Sequence, residues 1–156
     1  MKIVPFTEEN VSYAVQLGRE LVAAGTFGVT GPEFDWDYTM ATTRYLMGLD
    51  SYYLRLAYDG NDVACGFVAG HVNPFYFSPK LTATEDAWFV RPGTLERTKI
   101  AVKLMRGFVA WALDERGALL VQSGDIASID TLAVDSIYKH MGFTRFGTVY
   151  KYAREA

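Results

Sequence analysis

Three β-type runs, then one long amphipathic helix and a further short apolar run, occupy residues 51–121 and dictate what kind of domain this chain can form. Ser51 to Tyr58 alternates Tyr53, Arg55 and Ala57 with Tyr52, Leu54, Leu56 and Tyr58, the period of two of a strand. Asp59-Gly60-Asn61-Asp62 is a hairpin signal. Val63 to Val72 is apolar nearly throughout and reads as a central return strand. Asn73 to Lys80 reads as a Pro- and aromatic-rich loop, and Thr82 to Val90 as a third strand stopped by Pro92-Gly93. From about Leu95 to Glu115, the residues Ala101, Leu104, Met105, Phe108, Trp111 and Ala112 fall on one helical stripe. Ala118 to Val121 is then expected to be a short, fully buried strand. Strands joined by tight turns need no crossover, whereas a strand reached through a helix does, so both connection types must share one sheet.

The flanks extend this pattern. Lys2 to Phe6 reads as a strand, and Thr7 as the cap of a helix carrying Val11, Ala14, Val15, Leu17, Leu21 and Val22 at helical spacing. Asp35 or Asp37 can cap a second helix that Gly48 ends. Thr131 to Met141 reads as a last helix stopped by Gly142, and Thr144 to Tyr152 as a last strand. The expected fold class is α/β, a mixed and mostly antiparallel central sheet flanked by about four helices. At 156 residues the expectation is a single domain over 1–156.

Composition narrows the function classes. The formal net charge is −3, which argues against broad, sequence-independent nucleic-acid binding. Cys65 is the one cysteine and sits among apolar residues, so a disulfide within the chain is impossible and no metal site is expected. The first residues lack a signal-peptide pattern and no apolar run approaches the ~20 residues of a membrane span, so the expected location is the cytoplasm, with no membrane partner.

Arg91, Arg97, Lys99, Lys103 and Arg106 gather around the start of the long helix. A helix N-terminus already carries partial positive charge, so cations there await an anion, which the first backbone N–H groups also favour. A solvated basic surface is the other reading of the same residues. Phe27, Phe34, Trp36, Tyr38 and Phe75 mix with Asp35 and Asp37, a combination that suits a cation attached to something flat or apolar.

The meander ending Trp88-Phe89-Val90-Arg91-Pro92, the long helix and the ending Ile137-Tyr138-Lys139-His140-Met141-Gly142-Phe143 together resemble the GNAT superfamily of acyl-CoA-dependent N-acyltransferases, in the degenerate form often carried by bacteriophage genomes. The resemblance covers about residues 50 to 152, and its most specific part is the similarity of Ile137 to Phe143 to the family's leucine-tyrosine-x-x-x-Gly-Phe ending. It implies acetyl-CoA as co-substrate, held by Val90, Arg91, Arg97, Thr98, Lys99, Ile100, Ala101, Lys103 and Thr131. It implies Tyr138 as general acid toward the departing thiolate and Glu85 or Asp86 as base, with His71 and His140 as weaker alternatives. Where the family's cofactor loop reads Gln/Arg-x-x-Gly-x-Gly/Ala, this chain has Glu96-Arg97-Thr98-Lys99-Ile100-Ala101, with Lys99 in place of the first glycine.

The expected activity is therefore direct transfer of an acetyl group to a primary amine, with Phe27, Trp36, Tyr38 and Phe75 on the acceptor side. The acceptor is a small amine, a protein amine or an aminated nucleobase of modified phage DNA. The alternative is a GNAT-fold binding or inhibitory module without catalysis. An unrelated α/β enzyme or virion protein is a further alternative, and the last strand is a candidate homodimer edge.

Overall fold

The structure is a computed structural model, and it describes residues 1–25, 33–124, 131–145 and 147. The elements are β1 (Lys2–Pro5), α1 (Val11–Ala24), α2 (Trp36–Met47), β2 (Tyr52–Tyr58), β3 (Ala64–Phe75), β4 (Ser78–Val90), α3 (Arg97–Ala110), β5 (Val121–Gln122) and α4 (Thr131–His140). The strands form one sheet in the order β1-β2-β3-β4-β5. The first three pairings are antiparallel and β4–β5 is parallel, so the mixed, mostly antiparallel sheet expected from the two connection types is present.

Two apolar layers cover it. On one face Ala14 and Leu17 of α1 pack on Leu56, Phe67 and Phe89. On the other, Ile100, Ala101, Leu104, Met105 and Phe108 of α3 pack on Tyr53, Ala57, Val68, Val72, Ala83 and Val90. The stripe continues through Trp111 and Ala112 in a π-helical turn, Trp111–Glu115.

Several expected boundaries move. Helix α1 starts at Val11 rather than Thr7, because Asn10 closes residues 7–10 into a turn: its Oδ1 accepts the Thr7 N–H and its Nδ2 donates to the Pro5 carbonyl. Asp35 caps α2 as expected, accepting the Tyr38 N–H at 2.9 Å. The expected loop over Asn73 to Lys80 is mostly strand, since β3 runs to Phe75 and β4 starts at Ser78. Pro74 is tolerated because the Val72 N–H bonds to Ser51 on the β2 side. Two residues on, the missing N–H of Pro74 faces the same side, where β2 has already ended. The run from Ala118 is not fully buried: Ala118 is, but Leu119 and Leu120 are exposed, and only Val121–Gln122 is strand. Of the expected last strand, residues 146 and 148–152 lie outside the described residues.

Gly70 sets the distance between α3 and the sheet. A Cβ placed there would sit 2.6 Å from the Phe108 ring and 2.8 Å from the Thr84 carbonyl oxygen. Neither can retreat without moving the helix or the strand. Gly70→Ala is therefore expected to destabilise the domain by about 1–3 kcal/mol in urea unfolding, as overpacking of a filled core does.

Candidate active site

Strand β4 carries a bulge that decides which side chains meet. Gly70 faces Glu85 and Ala69 faces Ala87, so Asp86 is the extra residue. Strict alternation would put Glu85 and Trp88 on opposite faces. The added residue brings both to the face covered by α3 and α4, where Trp88 joins the core of Ala83 and Val90.

Helix α4 delivers Tyr138 to that same face. Its ring packs on Trp88 at 5.5 Å and on Phe143 at 5.2 Å between centroids. Its hydroxyl lies 2.5 Å from Ser123 Oγ, and Ser123 donates to Glu85 Oε2 at 2.6 Å. The direct distance from the Tyr138 hydroxyl to Glu85 Oε2 is 3.5 Å. Ser123 comes into place because β5 runs parallel to β4 with Gln122 beside Thr84, so the next residue of each strand is adjacent. The backbone N–H of Gly124 also donates to the carboxylate. Burial pushes the Glu85 carboxyl up to about 7, against the lowering effect of the Ser123, Gly124 and Tyr138 hydrogen bonds. A carboxyl poised there can take a proton near neutrality.

Asp86 lies apart from this group. It accepts from His71, whose Nδ1 is 2.9 Å away, and Tyr52 stacks on the imidazole at 5.3 Å between centroids. Tyr52 is displaced by an even number of residues from Leu54 and Leu56, and Leu56 packs under α1, so this trio occupies the face opposite Tyr138. The two expected bases thus separate across the sheet, and Glu85 is the one beside the phenol. His140 is exposed at the last residue of α4.

The expected cofactor residues divide as well. The Arg91 N–H bonds to the Cys65 carbonyl, so the Val90 N–H and C=O point away from β3. Strand β5 pairs with β4 only at Ala83 and Thr84, which leaves the edge of β4 beyond Thr84 without a neighbouring strand among the described residues. Arg97 Nε donates to the Val90 carbonyl at 3.1 Å on this edge. Arg91 is turned elsewhere: Nε and Nη2 clasp Glu20 of α1 at 2.7 and 2.9 Å, and Nη1 reaches the Ala64 carbonyl.

At the start of α3, Gly93 and Glu96 both have positive φ, 79° and 57°. Such a conformation is strained for a glutamate. The Arg97 N–H bonds to Thr94 and the Ile100 N–H to Glu96, while the N–H groups of Thr98 and Lys99 have no partner among the described residues, as expected of a first turn. Ile100 and Ala101 turn their side chains into the core, so they can address a ligand only through backbone. Lys103 and Arg106 are exposed, and Lys99 pairs with Glu96 at 2.9 Å.

Trp36, Tyr38 and Phe75 are exposed aromatics, the first two in the first turn of α2 and the third at the β3–β4 turn. Phe27 and the side chain of Thr131 lie outside the described residues. Two residues escape sequence reasoning. Ser123 has no motif around it, and its role depends on register with β4. Trp88 carries a buried Nε1 with no hydrogen-bond partner among the described residues, a donor in search of an acceptor beside Tyr138.

No protein-family model matches this chain, and no curated protein does. Solved structures do match in fold. AAC(6')-Iy in complex with the bisubstrate analogue CoA-S-monomethyl-acetylneamine superposes with a TM-score of 0.76 at 18% identity, covering 99% of this chain and 98% of that one. The aminoglycoside 6'-N-acetyltransferase AAC(6')-Ih from Acinetobacter baumannii gives 0.70 at 18% identity over 99% and 98%. An aminoglycoside acetyltransferase from an uncultured soil metagenomic sample, in complex with sisomicin, gives 0.71 at 20% identity over 99% and 96%. The chain has the fold of these acetyltransferases.

Proposed function

We propose that this protein is an N-acetyltransferase that moves an acetyl group from acetyl-CoA to a primary amine by direct attack. The observation that carries the reading is the juxtaposition of Glu85, Ser123 and Tyr138 beside an open edge of β4. A desolvated carboxyl beside a phenol provides one group to accept a proton and another to give one up. The fold likeness to a structure holding a coenzyme A bisubstrate analogue supports the same assignment.

The residues present fit acetyl-CoA as donor. The edge of β4 near Val90 can pair with the amides of pantetheine as an added strand would. The N–H groups of Thr98 and Lys99, with Lys99, Lys103 and Arg106, offer the positive end of α3 to the phosphates. Arg97 already occupies the Val90 carbonyl, so the donor binds there by displacing that contact or by using the N–H alone. The Trp88 Nε1 is a further donor for the carbonyl oxygen as negative charge develops on it.

In this reading the ammonium of the acceptor loses a proton to solvent before attack. The attacking nitrogen passes a second proton to Glu85, and Tyr138 protonates the sulfur as the C–S bond breaks. The acceptor is drawn from the primary amines that aromatic and acidic groups such as Trp36, Tyr38 and Phe75 accommodate: a small amine, a protein amine or an aminated nucleobase. Aminoglycosides, the substrates named for the matching structures, belong in the same test panel.

Titration calorimetry with acetyl-CoA tests donor binding, and mass spectrometry of an amine panel tests transfer. Lys103→Glu combined with Arg106→Glu is expected to raise the KM for acetyl-CoA about ten-fold at low salt while sparing kcat. The difference is expected to shrink as salt screens the phosphates. An unchanged KM would move the phosphates away from this helix face.

A further inference from the structure

We infer that Ser123 is a proton relay that returns to Tyr138 the proton Glu85 has taken from the amine, an inference resting on the acetyl-transfer reading above.

Glu85 and Tyr138 do not bond well to each other, at 3.5 Å, yet each makes a short contact with Ser123. A hydroxyl has one proton to donate and lone pairs to accept with. Since Ser123 donates to Glu85 Oε2, the proton between Ser123 and Tyr138 belongs to the phenol. The resting chain therefore runs from the Tyr138 O–H to Ser123 Oγ and from the Ser123 O–H to the Glu85 carboxylate. This polarity suits a base waiting for a proton and an acid whose proton is already aligned.

The chemistry reverses it. The C–N bond forms as the free amine attacks the acetyl carbon, and the nitrogen gives its proton to Glu85. The C–S bond breaks, and the sulfur takes the proton of Tyr138. Glu85 now holds one proton too many and Tyr138 one too few. Ser123 gives its proton to the phenolate and receives that of Glu85, which restores all three groups. The amine proton has in effect moved to the thiol, and nothing else is consumed. A carboxylic acid titrating near 7 is a stronger acid than an ordinary phenol, near 10, so this last transfer runs downhill.

The test compares Ser123→Ala and Ser123→Thr with the unaltered protein in steady-state acetylation, where the restoring transfer must occur in every cycle. The panel is a short diamine, a lysine-ended peptide and sisomicin, and the fastest acceptor is used. Rates are taken in mixtures of H2O and D2O. The expected result is a solvent isotope effect that bends with deuterium content in the unaltered protein, showing more than one proton in flight. Ser123→Ala is expected to slow transfer about 10–100-fold and to straighten that dependence, with the KM for acetyl-CoA unchanged. Ser123→Thr keeps the hydroxyl and is expected to recover most of the rate. Thermal melting reports whether the Ala variant is folded, and the Thr variant keeps the test decisive if it is not. A Ser123→Ala protein with full rate and an unaltered bend overturns the relay alone, as does a Thr variant that is folded yet no faster than Ala. Failure of the unaltered protein to acetylate any member of the panel overturns the relay and the acetyl-transfer reading together.

Discussion

Glu85→Gln is expected to slow acetyl transfer about 10²–10⁴-fold, the usual worth of a positioned general base, and at the same time to make the protein more stable above neutral pH. Both effects come from one cause. Burial desolvates the carboxyl and pushes it up from its ordinary 4.5 to about 7. In the unaltered protein, kcat/KM should rise with pH through an apparent pKa near 7 as Glu85 ionises. The Gln variant should lose that limb, since its amide does not titrate.

The stability effect has the opposite direction in pH. Below 4.5 the carboxyl is protonated in both folded and unfolded chains and makes no difference. Between 4.5 and about 7 the folded chain retains a proton that the unfolded chain releases, so stability falls as pH rises. By pH 8 the cost is on the order of 3 kcal/mol. Glutamine keeps an oxygen to accept from Ser123, so it removes the charge while preserving that contact. Urea unfolding of both proteins at pH 5 and pH 8 measures the difference directly. The groups with lowered pKa, Glu20 and Asp59 among them, act in the acid range and cancel between the two proteins. A Gln variant of equal stability at pH 8 and unreduced rate would remove Glu85 from the chemistry.

The second large effect is expected from Tyr138→Phe, about 10²-fold in kcat with little change in the KM for acetyl-CoA. Phenylalanine retains the ring contacts with Trp88 and Phe143, and Ser123 still donates to Glu85, so the fold should lose no more than about 1 kcal/mol. A general acid matters less when the leaving group is a weaker base. The deficit of the Phe variant should therefore narrow with a thioester of a more acidic thiol. A deficit independent of the thiol would make Tyr138 a structural residue rather than the acid.

The sheet and its helical layers were legible because α3 and the π-helical turn after it show one apolar stripe from Ala101 to Ala112 and the strands show their period. The resemblance of the C-terminal segment and of the strand before Val90 singled out Tyr138 and Glu85 as candidates, and the structure brings the two side chains to one cluster. The bulge at Asp86 was not legible, because Glu85-Asp86-Ala87 holds no glycine or proline to mark an inserted residue, and it alone brings Glu85 and Trp88 to one face. Ser123 was not legible for a related reason: its position follows from a two-residue strand aligned with β4, a contact between residues far apart in sequence. The cationic residues near α3 were legible as a group, but their partners were not. Arg91 reads as an anion ligand in sequence, yet in three dimensions it clasps Glu20. Prolines misled at Asn73 to Lys80, where the hairpin projects past β2 and the lost N–H has no strand to bond.

The most direct measurement is release of free thiol from acetyl-CoA in the presence of the amine panel, with the amide product identified by mass spectrometry. Enzyme-dependent thiol release matched one for one by acetylated amine, and abolished in the Glu85→Gln, Tyr138→Phe double variant, is the predicted result. Thiol release that never exceeds the enzyme-free rate, from a folded protein that gives no calorimetric signal with acetyl-CoA, would contradict the account and favour a binding module built on the same fold.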